Sequence, residues 1–413
     1  MKILYINPVG TIGGAEMCLL DILAQVREAR PSWELKVILG DDGPLKTAIV
    51  GMGIPCEALP YPASLAGMGD AGGKEGQAGQ KNKGPLAKAA RLGSVGLASM
   101  SYLASLKHLI RREAPDIVQT NGMKAHVLAA WAVSRGVPLI WHLHEYLSNR
   151  PMMVKLLRAS TRRSISAVAV SKSVADDARA VLGDRVKVGT IYNALDLNHF
   201  SPEGPGADDP AWLDREAGLP PAPEGTVRVG LVATYAVWKG HDVFLDAIAR
   251  IPAKRPSRFY IVGGPIYRTQ GSQVSLEGLK AKAESLGIVG RIGFVGHQTD
   301  PARVFRGLDV VVHASTRPEP FGRVIVEGMA CGRAVIAVSD GGAAELFEDG
   351  VSALGCPPRD PAALAEAIDR LVVDPVLRRG LGVAGREATV THFDRSRLAE
   401  QWSHLYEAVG STA

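Results

Sequence analysis

The chain has 413 residues, enough for two or three domains. Hydrophobic residues make up 46% and charged residues 22%, and 47 basic against 42 acidic residues leave a net charge of +5, too mild to argue for a nucleic-acid partner. Aromatics at 6% weaken single-strand stacking, and Cys18, Cys56, Cys331 and Cys356 form no Cys-x-x-Cys, which speaks against a zinc ribbon, a thioredoxin-type motif and a dense disulfide framework.

The chain opens Met1-Lys2-Ile3-Leu4-Tyr5-Ile6-Asn7-Pro8, too short an apolar run for a signal peptide. It reads as a first strand, Lys2–Asn7, of a cytoplasmic protein. Further strands are expected at 35–39, 116–119, 138–142 and 167–170, and again at 227–233, 258–262, 292–295, 310–313 and 334–338. Most are short, continuous and rich in Val, Ile and Leu, as strands buried on both faces should be. Helical patterns lie between them at 15–29, 124–134, 174–181, 242–249, 277–286 and 361–372. This alternation predicts an α/β fold with parallel sheets and helices on both faces. Gly67–Gly84 has almost no large apolar residues and reads as a mobile surface loop. No run of 18 apolar residues exists to span a membrane.

Two stretches carry organisation. Residues 150–163 interleave Arg150, Lys155, Arg158, Arg162 and Arg163 with Met152, Met153, Val154, Leu156 and Leu157. This is either a packed helix with a solvated face or a peripheral contact with an anionic membrane surface, at its inner face, that brings in a lipid-linked acceptor. The alternation then breaks over 201–226, which is rich in Pro and Gly, and restarts at Val227. The reading is a first doubly wound domain over 1–200, a connector over 201–226 and a second domain over 227–394.

Ligands of doubly wound folds bind at the carboxyl ends of strands, so the strand-to-helix turns are the places to look for chemistry. The first, Gly10 to Glu16, contains Gly13 and Gly14. It is a tight turn, a sugar or phosphate contact, or a dinucleotide site with Asp41 as ribose acid, although the GxGxxG spacing is absent. His142 and His144 share one face of a strand end; either is a core histidine, a metal ligand or, for His144, a functional group. Lys239 precedes the 242–249 helix, where a cation and a helix start together suit a phosphate; the alternative is a solvated surface lysine. The densest stretch runs Ser315 to Ala330. Prolines at 318 and 320 keep Glu319 in a loop, and Gly322 opens a helix carrying Glu327. Two carboxylates beside a helix N-terminus suit hydroxyls beside a phosphate, the chemistry of a sugar nucleotide.

On these residues the chain resembles the family 4 retaining glycosyltransferases of the GT-B fold, the glycosyl transferases of group 1. The E-x7-E element stands at Glu319 and Glu327, followed by Met329-Ala330-Cys331-Gly332 and Gly341-Gly342-Ala343-Ala344-Glu345. Gly13-Gly14-Ala15-Glu16, His144-Glu145, Val170-Ser171, Asn193-Ala194-Leu195-Asp196, Phe200, Trp238-Lys239-Gly240 and Val262-Gly263-Gly264 add to it in order along nearly the whole chain. The resemblance implies two Rossmann-like domains facing across a cleft, with the C-terminal segment, 395–413, returning to the first. It implies a catalytic set of His144, Lys239 and Glu319. Lys239 would bind the donor diphosphate and Glu319 the hydroxyls of the transferred sugar. Pro320, Phe321, Gly322, Arg323 and Val324 would line the sugar and phosphate, and Glu327 would hold the ribose. Thr234, Gly263, Gly296 and His297 would complete the donor site, with Gly13 and Gly14 near the diphosphate and His144 near the sugar. Two positions depart from the family pattern: Thr234 stands where Arg is frequent, so one diphosphate cation is either missing or supplied from elsewhere, Arg323 being a candidate, and Asn193-Ala194-Leu195-Asp196 replaces Asn-Gly-Val-Asp.

The implied activity moves a sugar, with retention, from a nucleotide-diphosphate sugar to an acceptor hydroxyl on a glycan, a lipid-linked saccharide or a small molecule. No Asp-x-Asp occurs in the chain, so the expectation is transfer without a metal or other cofactor. The competing readings are a sugar-nucleotide epimerase of the same fold and a non-catalytic nucleotide-sugar-binding protein.

Overall fold

The computed structural model describes residues 1–62, 85–161, 165–209, 211–265 and 273–411, with backbone alone over 85–97. The expected Gly67–Gly84 loop, Arg162 and Arg163 lie outside the described residues. The chain divides into two compact units, Met1–Ala194 with Arg395–Ala413, and Leu195–Asp394.

The first unit is a seven-stranded parallel sheet: β1 (Lys2–Asn7), β2 (Glu34–Leu39), β3 (Cys56–Ala58), β4 (Ile117–Asn121), β5 (Leu139–Leu143), β6 (Ile165–Ala169) and β7 (Lys187–Thr190), in the order β3-β2-β1-β4-β5-β6-β7. The second has six: β8 (Val227–Val232), β9 (Ser257–Val262), β10 (Ile292–Val295), β11 (Val310–His313), β12 (Ala334–Val338) and β13 (Leu354–Cys356), ordered β10-β9-β8-β11-β12-β13. All strand pairs within both sheets are parallel. Strands such as Ala334-Val-Ile-Ala-Val338 are buried at every position because helices cover both faces. Each Leu, Ile or Val so buried contributes about 1.5–3 kcal/mol relative to exposure.

Both sheets reverse strand order at one place, between β1 and β4 and between β8 and β11. Such a switch point leaves a crevice at the carboxyl ends of the two central strands. The loops after β1, β4, β8 and β11 are thereby singled out.

Residues 201–226, expected as a connector, belong to the second unit. Trp212 and Leu213 are buried, Arg303 stacks over the Trp212 ring at 4.4 Å, and the Asp214 carboxylate meets Arg258 at 2.7 Å, Arg228 at 3.1 Å and the Tyr260 hydroxyl at 2.5 Å. Two aromatic and aliphatic anchors and a paired buried charge hold this Pro/Gly-rich stretch down, where composition alone suggested a free link. The C-terminal helix Ser396–Gly410 packs on the first unit beside helix Gly14–Ala29. Its Trp402 and Tyr406 are fully buried, and the Tyr406 hydroxyl donates to Gln119 Oε1 at 2.6 Å.

Candidate active site

In the second unit, the exit of β8 turns through a 3-10 segment, Val237–Lys239, into helix His241–Arg250. Gly240 between them has φ +76°, and a Cβ there would stand 1.8 Å from the Ala314 carbonyl oxygen. Only glycine lets this turn close on the exit of β11. The Thr316 N–H donates to the Trp238 carbonyl at 2.7 Å, fastening the same two loops. Lys239 is thus delivered to the residues that follow β11.

The loop after β11 carries Glu319. Its backbone is held on the far side as well, since Gly342 N–H donates to the Glu319 carbonyl at 2.8 Å. Gly322, at φ +96°, then caps helix Arg323–Ala330, and a helix start concentrates positive dipole. Lys239 Nζ contacts Glu319 Oε1, and His313 Nε2 lies 3.0 Å from Glu319 Oε2. Burial would raise the Glu319 carboxyl, but the charge of Lys239 and then His313 outweigh it and hold it well below the usual carboxylate range. Glu327, one helical turn inward, accepts from Arg323 Nε at 3.1 Å.

The structure therefore brings Lys239, Glu319, Gly322, Arg323 and Glu327 to one place, and Pro320, Phe321 and Val324 belong to the same loop and helix start. Arg323, which the sequence offers as one source of a second diphosphate cation, has its Nε on Glu327. Thr234 lies at the exit of β8 with its hydroxyl oxygen buried and unpartnered. Gly263 follows β9, donating its N–H to the Val295 carbonyl at 3.0 Å, and the Gly264 and His297 turns lie side by side. Gly296 and His297 are exposed.

The first unit holds the remaining expected residues. Gly13 precedes helix Gly14–Ala29, its N–H donating to Glu16 Oε2 at 3.0 Å. Burial pushes the Glu16 carboxyl up. Asp41, which sequence offered as a ribose acid, accepts from the Gly10 N–H and ties the exit of β1. His144 Nε2 lies 3.1 Å from His142 Nδ1, and His142 packs edge-on against Trp402 at 4.9 Å. Burial pushes His144 down to about 4 and His142 well below the usual value, so both are neutral at pH 7. Among the described residues, no three His, Cys, Asp or Glu side chains gather to hold a metal, so the two histidines find no third ligand there.

His313 is the site residue that sequence reasoning passed over. Its signal was a polar residue closing an apolar strand, Val-Val-Val-His, at the carboxyl end next to the switch point.

Comparison with known proteins bears on this geometry. Residues 74–199 match the family described as Glycosyltransferase Family 4, and residues 220–388 match Glycosyl transferases group 1. Crystal structures of Anabaena Alr3699/HepE in complex with UDP and with UDP-glucose share 27% identity with the chain, covering 99% of it and 100% of HepE, at TM-scores of 0.78 and 0.77. N-acetyl-alpha-D-glucosaminyl L-malate synthase of Bacillus anthracis is 22% identical over 74% of this chain and 78% of its own length. The lipopolysaccharide core biosynthesis glycosyltransferase LpsE of Rhizobium meliloti is 26% identical over 73% and 78%. With two parallel-sheet units, an E-x7-E pair at the second switch point and these matches in both halves, the chain belongs to the group 1 glycosyltransferases of family 4, enzymes of the GT-B fold.

Proposed function

We propose that this glycosyltransferase takes a sugar from a nucleoside-diphosphate sugar and delivers it, with retention of configuration and without a metal, to an acceptor hydroxyl. The observation that carries the reading is the meeting of Lys239 and Glu319, 80 residues apart, at the start of helix Arg323–Ala330. Breaking a glycosyl–phosphate bond puts charge on the leaving diphosphate, and a lysine beside a helix N-terminus suits that charge. Glu319, a charged acceptor, suits sugar hydroxyls, and Glu327 suits those of the ribose. The lysine takes the electrostatic part that a divalent ion plays elsewhere, which, with the missing Asp-x-Asp, supports metal independence. No side chain is assigned as nucleophile. The reading has the leaving phosphate help deprotonate an acceptor arriving on the same face. The donor-side roles of Thr234, Gly263, Gly296 and His297, and those of Gly13, Gly14 and His144 toward diphosphate and sugar, belong to the same proposal.

The UDP and UDP-glucose complexes of HepE support a uridine nucleotide. Screened by thermal shift, UDP-sugars should stabilise the protein more than GDP- or ADP-sugars do, and at one hundred times its dissociation constant the bound UDP-sugar should add about 2.7 kcal/mol to the stability of the ligand-free protein. Product analysis in the presence of EDTA should then show undiminished transfer and an unchanged anomeric configuration. Inversion, or loss of turnover restored by a divalent ion, would sink those parts of the reading.

The helix Pro151–Ser160 supports an acceptor held at an anionic membrane surface. Met152 and Leu156 are 74% and 48% exposed, beside exposed Lys155 and Arg158, and the helix contains no acidic residue. Sedimentation with vesicles of anionic lipid should pull the protein down at low salt, and Met152→Glu with Leu156→Glu should abolish this. Equal recovery with neutral vesicles would count against it. Among the described residues, no helix is long and apolar enough to cross a membrane.

A further inference from the structure

Strand β11 ends Val310-Val311-Val312-His313. Val310 and Val312 enter the core on one face of the sheet, and the alternation of a strand sends Val311 and His313 to the other. Helix Arg323–Ala330 covers that second face: a Cβ on Gly328 would stand 3.1 Å from Val311. His313 is therefore held beneath the start of this helix, 4% exposed, with Nε2 on Glu319 Oε2. A carboxylate only accepts, so Nε2 carries the proton of this bond. The other ring nitrogen, Nδ1, is buried with no hydrogen-bond partner. Burying a polar ring half satisfied costs free energy that a valine or leucine at the end of β11 would not. Packing gives no reason for an imidazole here, whereas the bond to Glu319 does.

The bond has a use on the donor reading proposed above, on which this inference rests. Lys239 faces two claims, one from Glu319 and one from an arriving diphosphate. When the diphosphate draws the lysine away, Glu319 keeps a donor in His313, which is too deeply placed to follow. We propose that His313 is a positioning residue: it holds the Glu319 carboxylate aimed at the hydroxyls of the transferred sugar, and so governs recognition of the sugar half of the donor but not of the nucleotide half.

The test separates those halves. Calorimetric titration gives the affinities for UDP and for whichever of UDP-glucose, UDP-galactose and UDP-N-acetylglucosamine binds most tightly. In His313→Leu the affinity for UDP should stay within twofold of wild type while that for the UDP-sugar falls about tenfold, the worth of one hydrogen bond to a charged group. His313→Gln, whose amide places a donor near the lost Nε2–H, should restore most of the difference. In a Glu319→Gln background, His313→Leu should change the ratio of the two affinities no further. Equal losses for UDP and UDP-sugar, no loss for either, or a failure of the Gln variant to rescue would overturn the proposal while leaving Glu319 in place. If Glu319→Gln itself leaves the ratio unchanged, or if the wild type binds none of the UDP-sugars, the donor-site reading fails and the role of His313 falls with it.

Discussion

Lys239→Ala is expected to lower the turnover number about 10²–10³-fold at saturating donor, the usual cost of removing one electrostatic contact to a developing negative charge. The loss belongs in kcat because the lysine gains most as the glycosyl–phosphate bond breaks. In the resting structure the same lysine neutralises a buried carboxylate, so its removal also leaves Glu319 with one counter-group fewer and lowers stability. Glu319→Gln keeps the shape of the side chain and removes the charge. It should cut turnover comparably without that second effect. The two substitutions share a contact, so the double variant should lose far less than the product of the single losses. Steady-state kinetics with the best UDP-sugar, beside thermal unfolding of each variant, decides the matter. Turnover within threefold of wild type in both single variants would remove Lys239 and Glu319 from the chemistry.

Stability should fall as the solution is acidified from pH 6.5 toward 4.5, before the carboxylates titrate. Burial pushes His126 down to about 3 and His144 to about 4, and holds His142 well below its usual value. In the unfolded chain each binds a proton near pH 6.5. Between these values the unfolded state holds more protons than the folded one, so stability rises with pH across the window and is lost on going down. At pH 5, roughly 1.5 units below the unfolded value, His126 and His144 each cost about 2 kcal/mol, and His142 acts in the same direction. Glu16 works the other way, since its carboxyl is pushed up and its protonation favours the folded state. Glu113, held down at about 2 chiefly by its hydrogen bond to Lys36, contributes its own loss only at lower pH. Urea unfolding at pH 7 and pH 5 should show a drop of several kcal/mol, and His126→Phe should flatten it. A curve unchanged between these two pH values would contradict the neutral, buried state of these rings.

Much of the fold was legible because its strands are buried on both faces. Lys2–Asn7, Ile292–Val295, Val310–His313 and Ala334–Val338 lie where their unbroken apolar runs put them. The three strands that escaped, β3, β7 and β13, are short edge strands. Cys56–Ala58 is half exposed throughout and Lys187–Thr190 has no buried residue, so neither shows an apolar run. The segment 201–226 was misjudged for a related reason: Trp212 and Leu213 are too few to make a period. At the site, Glu319, Glu327, Lys239 and Gly322 stood out because prolines and glycines punctuate them. The partnership of Arg323 with Glu327 has its signal in the i, i+4 spacing of the two residues on the helix that Gly322 opens. His313 was hidden by its place at the end of a valine strand, where a residue reads as packing until its neighbour across the loop is known.

The return of Ser396–Gly410 to the first unit has a consequence for how the protein is made. Trp402 and Tyr406, which complete the interior around Tyr5 and Gln119, leave the ribosome only after some two hundred intervening residues of the other unit. The part translated first is therefore the part finished last. Until the helix Ser396–Gly410 is made, the first unit lacks the side chains that close its apolar face, whereas residues 195–394, contiguous in sequence, are free to reach their native packing earlier.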